Sequence, residues 1–140
     1  MERHHLSGLQ VAKFLEAHPK VIKVSHPLLE SSAYQALALK QHQGRHSGMI
    51  AFYLRTNSKG QRDEAVKFLD HIRIVKRAAS LGGTHSLACH PASLTHSQLT
   101  EAEKEASGIT NNLIRLSVGL ENVQDLISDL SNFKQGVLDA

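Results

Sequence analysis

Arg115 is the residue whose type and setting most invite chemistry. It sits inside Leu113-Ile114-Arg115-Leu116-Ser117-Val118, a run that reads as a β-strand. Side chains alternate along a strand, so Ile114, Leu116 and Val118 share one face while Leu113, Arg115 and Ser117 share the other. If that second face is covered, the guanidinium must meet a carboxylate or a phosphate, because an unpaired buried charge is very costly. The planar fork of arginine suits that task, since it grips a carboxylate through parallel hydrogen bonds that fix orientation as well as supplying energy. The plainer reading is a half-exposed strand residue or an internal ion pair, and spacing alone favours it.

Other candidates are weaker. Ser80-Leu81-Gly82-Gly83 follows a predicted strand, and paired glycines let backbone approach a ligand closely, but the glycine spacing of known phosphate loops is absent. His85, Cys89, His90 and His96 form the tightest cluster of metal-type ligands, yet no C-x-x-C or H-E-x-x-H spacing is present. His42 and His46 flank Gly44, which weakens a helical pair. These histidines are read as structural or surface groups, no metal is expected, and Cys89 is read as a small buried hydrophobe. Lys59, in Asn57-Ser58-Lys59-Gly60, is a turn lysine, solvated and unactivated.

The elements that must position these residues can be read from periodicity. Val11, Phe14 and Leu15 predict an amphipathic helix ending before Pro19, and Val21 to Ser25 a short strand. Ala33, Tyr34, Leu37 and Ala38 predict a helix closed by Gly44, and Gly48 to Leu54 a strand followed by the 57–60 turn. Ala65, Val66, Leu69 and Ile72 form a helical stripe behind Asp63 and Glu64, and Arg73 to Ala79 continues as a strand. Thr100 and Glu103 match a capping box for a short helix ending near Gly108. Asn122 caps a last helix whose Val123, Leu126, Ile127, Leu130 and Phe133 share a face. Interleaved strands and helices without a repeat give a single α+β domain over 1–140.

Composition agrees. At 140 residues, with 41% hydrophobic and 21% charged residues, one sizeable core is expected. Aromatics are 4% with no Trp, so base-stacking surfaces are scarce, and the basic residues are scattered apart from Arg73, Lys76 and Arg77. Nucleic acid is therefore not expected as a partner, despite a formal charge of +3. One cysteine excludes an internal disulfide and fits a reducing compartment. The opening Met1-Glu2-Arg3-His4-His5 lacks an apolar run, so neither signal peptide nor membrane association is expected, and the cytoplasm is the expected location.

Taken together, Ser80-Leu81-Gly82-Gly83, His90-Pro91-Ala92-Ser93-Leu94-Thr95-His96, Gly108-Ile109, Leu113 to Glu121 and Asp125-Leu126 resemble the Cys/Met-metabolism pyridoxal-phosphate enzymes, most of all the cystathionine gamma-lyase kind. The resemblance reaches back through Phe68-Leu69 and Gly48-Met49 to His18-Pro19 and Val11-Ala12. It implies the C-terminal small domain of a fold type I enzyme, a mostly antiparallel sheet packed with helices, with the cofactor-binding domain outside this chain. It implies a carbon–sulfur lyase of transsulfuration, converting cystathionine to cysteine, 2-oxobutanoate and ammonia. Cystathionine gamma-synthase, methionine gamma-lyase and a homoserine-ester sulfhydrylase are the alternatives within the family. Outside it, the alternative is a truncated, non-catalytic paralogue that acts as an interaction module.

By the same resemblance, Arg115 holds the substrate's α-carboxylate, Ser80 stands at the active-site edge and Thr95 lines the same cleft. The family's Schiff-base lysine and its pyridoxal 5'-phosphate ligands have no counterpart here, so no catalytic or cofactor-binding residue is expected in this chain, and the chain alone should be inactive. The implied partners are a sulfur amino acid, the cofactor-binding domain and sister subunits of a homotetramer. Ala79 stands where many relatives carry glutamate, and Leu28 and Ser32-Ala33 replace a usual glycine and His-Pro.

Overall fold

A computed structural model describes residues 1–56 and 61–131. The elements run α1 (Glu2–Ala17), β1 (Val21–Ser25), α2 (Gln35–Gln41), β2 (Met49–Leu54), α3 (Gln61–His71), β3 (Lys76–Arg77), β4 (Leu87–Cys89), α4 (Glu101–Ala106), β5 (Leu113–Ser117) and α5 (Val123–Leu130). The expected 57–60 turn with Lys59, and Phe133, lie outside the described residues.

The strands form one sheet in the order β1-β2-β5-β4-β3, antiparallel except for the β3–β4 pair. This is the mixed α+β architecture the sequence predicts. β5 lies at its centre and is buried at four of its five positions, with Ile114 and Leu116 almost wholly removed from water. Register sets the rest: Ile50 lies opposite Leu116, Phe52 opposite Ile114 and Ala88 opposite Leu116, so these side chains line one face. Against them pack Val11, Ala12 and Leu15 of α1, Ala65, Phe68 and Leu69 of α3, and Leu126 and Leu130 of α5. Phe52 and Phe68 meet edge to face at 5.9 Å, and burying each such ring contributes roughly 1.5–3 kcal/mol.

Local signals account for the boundaries. His18 adopts the extended φ −80°, ψ 128° that a following proline demands, and α1 stops there. Thr100 accepts the Glu103 amide while the Glu103 carboxylate takes the Thr100 amide, so the capping box forms as expected. Asn122 caps α5 by accepting the Gln124 amide at 2.8 Å.

Two local expectations are corrected. The strand expected over Arg73 to Ala79 is only Lys76–Arg77, because the amides of Arg73, Ile74 and Val75 are taken by the buried Asp129 carboxylate and cannot join a ladder. The helix expected from Ala33 begins at Gln35, and its Tyr34 and Leu37 are exposed, leaving Ala38 as its buried residue.

Candidate functional site

β5 carries Arg115 and Ser117 on the face turned away from the helices, as alternation requires. That face is partly covered by the excursion between β4 and β5. Tyr53 Oη donates to the Gly108 carbonyl at 3.1 Å and Asn112 Nδ2 to the Leu54 carbonyl at 2.8 Å, which pins the excursion over the Leu113 end. His90 opens this excursion, buried and bonded to the Asn111 carbonyl at 2.8 Å and to Ser93 Oγ at 2.8 Å. Burial lowers the pKa of its imidazole, against the opposing pull of the Asn111 carbonyl. The bond to Asn111 ties the start of the excursion to its end.

Arg115 itself is half-buried. Its Nη2 donates to the Ala79 carbonyl and lies 3.5 Å from the Ser80 carbonyl. Across the ladder it faces Cys89, which is fully buried. Burial raises the thiol's pKa, while the guanidinium's charge and its hydrogen bond to sulfur pull the other way. Among the described residues the guanidinium thus meets carbonyls and a thiol but no carboxylate, so its positive charge is not neutralised within them. The remaining donors of the fork can take a carboxylate in the bidentate manner. The internal ion pair considered for Arg115 does not form among these residues, and the half-exposed reading holds.

Ser80 to His85 form an exposed segment beside Arg115. The structure joins Ser80 to Arg115 through its main-chain carbonyl rather than its hydroxyl. Thr95 is exposed, and its hydroxyl is engaged with His96 Nδ1 at 2.8 Å and the Pro91 carbonyl at 3.4 Å within its own turn. No hydrogen bond among the described residues joins Thr95 to Arg115. Sequence reasoning missed Ser117, whose Oγ accepts the Gly82 amide at 2.9 Å, and Glu121, whose carboxylate takes the Ser86 amide at 2.6 Å and hydroxyl at 2.7 Å. Their signal was faint: a small residue at the end of a central strand and an acid shortly after it are common.

The described residues offer no group of histidines, cysteines or acids able to hold a metal ion. Lys104 is paired with Glu101 at 3.0 Å, Lys76 donates to the Arg73 carbonyl and Lys23 lies over the Tyr53 ring. None of these amines is bonded into the cluster around Arg115. No described helix is long and apolar enough to cross a membrane.

A family model described as Cys/Met metabolism PLP-dependent enzyme matches residues 1–134. The chain is 47% identical over 130 residues to cystathionine gamma-lyase of Sus scrofa, covering 93% of this chain and 31% of that protein. It is 45% identical over 130 residues to L-methionine gamma-lyase of Fusobacterium nucleatum, covering 93% and 32%. It is 42% identical over 131 residues to O-acetyl-L-homoserine sulfhydrylase of Leptospira meyeri, covering 93% and 29%. The crystal structure of a protein assigned as an O-acetylhomoserine (thiol)-lyase from Campylobacter jejuni, which carries N'-pyridoxyl-lysine-5'-monophosphate, superposes with a TM-score of 0.85 at 41% identity, covering 93% of this chain and 30% of that one. The chain thus spans about a third of the length of these relatives.

Proposed function

Because the chain belongs to the Cys/Met metabolism PLP-dependent enzyme family, we propose that it is the C-terminal domain of a carbon–sulfur lyase acting on cystathionine, with Arg115 as the group that holds the substrate's α-carboxylate. The observation that carries this reading is the Arg115 guanidinium, half-buried and bonded to the Ala79 and Ser80 carbonyls, with donors left for an anion and no acidic partner among the described residues. When bound, pyridoxal phosphate supplies the electron sink that stabilises negative charge at the substrate's α-carbon. In this reading the groups that hold the cofactor belong to the rest of the enzyme, and this chain alone is inactive.

The chain's own contribution is orientation. A carboxylate gripped at two points by a fork fixed on a central strand cannot rotate, so the bond to be broken is held in one direction. That is a positional contribution rather than a proton transfer. Ser80 and the exposed Leu81, Leu94 and Leu120 would then form the rim over which the cofactor domain or a sister subunit packs. Thr95 is proposed for the same cleft on its place in the motif.

In this reading the same carboxylate grip would serve cystathionine gamma-synthase, methionine gamma-lyase and homoserine-ester sulfhydrylase activities equally. Ala79 presents no acidic side chain beside Arg115, so discrimination among sulfur substrates must come from other residues. The test is turnover by the full-length holoenzyme with cystathionine, methionine, and O-acetylhomoserine plus sulfide. Release of cysteine and a keto acid from cystathionine as the fastest reaction is expected. Faster turnover of either rival substrate would reassign the enzyme within the family, and no turnover of any would contradict the lyase reading.

A further inference from the structure

The segment from Ala79 to Ser86 joins β3 to β4 with most of its residues in water, so tethers must define its shape. The described tethers come from β5 and the residues that follow it, and from α1. Ser117 Oγ accepts the Gly82 amide at 2.9 Å, and the Leu120 amide donates to the Thr84 carbonyl at 2.8 Å. Glu121 takes both the amide and hydroxyl of Ser86, whose Oγ accepts the Gly119 amide at 2.8 Å. His4 Nε2 lies 3.2 Å from the Gly83 carbonyl.

Gly119 permits this approach. A Cβ there would lie 2.4 Å from the Thr84 carbonyl oxygen and 2.6 Å from the His85 carbonyl carbon, distances no side chain tolerates. Gly82 sits at φ +74°, where its amide can turn toward β5 at little steric cost.

Ser117 stands apart from the other tethers. It is 2% exposed and lies two positions along β5 from Arg115 on the same face. Arg115 grips the carbonyls of Ala79 and Ser80, while Ser117 grips the amide of Gly82. One strand face therefore holds adjoining peptide groups of the segment by opposite polarities, a donor for the carbonyls and an acceptor for the amide.

We propose that Ser117 is a positioning residue for carboxylate binding: by holding the Gly82 amide it fixes the Ala79 and Ser80 carbonyls that aim the Arg115 fork. Ser117 does not touch substrate, and the inference rests on the reading of Arg115 given above. If its hydroxyl is removed, water can reach the amide of Gly82, an exposed residue whose bond to Ser117 is only part-buried, so the fold changes little. The aim of the guanidinium changes, and with it ground-state binding.

The experiment compares full-length holoenzyme with its Ser117→Ala, Arg115→Ala and double variants, measuring KM, kcat and Tm with cystathionine, or with whichever family substrate the enzyme turns over. In Ser117→Ala, KM is expected to rise about 5- to 10-fold, the loss of one hydrogen bond's worth of alignment, with kcat within about twofold and Tm within about 2 °C. The double variant is expected to be no worse than Arg115→Ala alone, since Ser117 acts through Arg115. Unchanged KM in Ser117→Ala, additive losses in the double variant, or a KM rise accompanied by a large fall in Tm would each overturn the inference. Ser117→Cys, of similar size with a weaker acceptor, is expected to give an intermediate KM, and a wild-type value there would also overturn it. Should Arg115→Ala itself leave KM unchanged, the carboxylate reading falls. Should it raise KM while the Ser117 effect adds to it, only the positioning role falls.

Discussion

Cys89 and Arg115 are cross-strand partners at the centre of the sheet, and the thiol is completely buried beside the guanidinium. A charge so close would ordinarily acidify a thiol, but here loss of hydration outweighs it and the thiol's pKa is raised. Cys89 is therefore a neutral neighbour that does not cancel the positive charge of Arg115. The expected outcome is that Cys89 in the native protein reacts with iodoacetamide at least about 100-fold more slowly than a free thiol. Unfolding should restore ordinary reactivity. Fast labelling of the native protein would contradict this burial.

Asp129 ties the end of α3 to α5. Its carboxylate accepts the amides of Arg73, Ile74 and Val75 at 2.8, 2.9 and 3.1 Å while only 4% exposed. Asp129→Ala leaves these donors without an acceptor, in a turn where Val75 is buried and Arg73 and Ile74 are exposed, and is expected to cost about 2 kcal/mol in denaturant unfolding. Asp129→Asn keeps one acceptor oxygen and should cost less. A loss below about 0.5 kcal/mol in the alanine variant would show that water replaces the carboxylate without cost.

His26 should make stability depend on pH. Burial first, then the neighbouring His46 and His5, lower its pKa from 6.5 to about 4, and its Nε2 is buried without a hydrogen-bond partner among the described residues. Between those values the unfolded chain binds a proton that the native state refuses. The stability held by the neutral ring is therefore complete above pH 6.5 and declines as pH falls toward about 4. The decline is expected to reach about 3 kcal/mol at most. His26→Asn, whose side-chain oxygen can still accept the Leu28 amide, should flatten this part of the profile. An unchanged slope in that variant would contradict the assignment to His26.

How far the sequence announced these features depended on how local their causes are. The Thr100–Glu103 capping box, the Asn122 cap, the stop before Pro19 and the alternation through β5 are set by neighbours in the chain, and each was legible. β4 escaped because a strand of three residues, Leu87–Cys89, has no room to display a period. The shortening of β3 escaped because its cause, Asp129, lies some 50 residues away in sequence. The stripe of Ala65, Val66, Leu69 and Ile72 leaves out Phe68, although that ring is among the most buried side chains.

The site divides in the same way. The face of Arg115 followed from period two, but its partners are main-chain carbonyls of a distant segment, and no side-chain pattern encodes those. Ser117 and Glu121 read as ordinary strand-end residues until the fold brings Gly82 and Ser86 against them. Thr95 is named by motif alone, and its hydroxyl is occupied within its own turn.

The central claim, that Arg115 holds the substrate's carboxylate, is tested most directly by comparing two competitive inhibitors of the full-length holoenzyme: a substrate-like amino acid and the amine that lacks only its carboxylate. The wild-type enzyme is predicted to prefer the amino acid by about 30-fold or more, the worth of a charge-assisted bidentate grip. In Arg115→Ala that preference is predicted to collapse to near unity, with the amine binding almost unchanged. A preference that survives the substitution intact would contradict the account and place carboxylate recognition on another group.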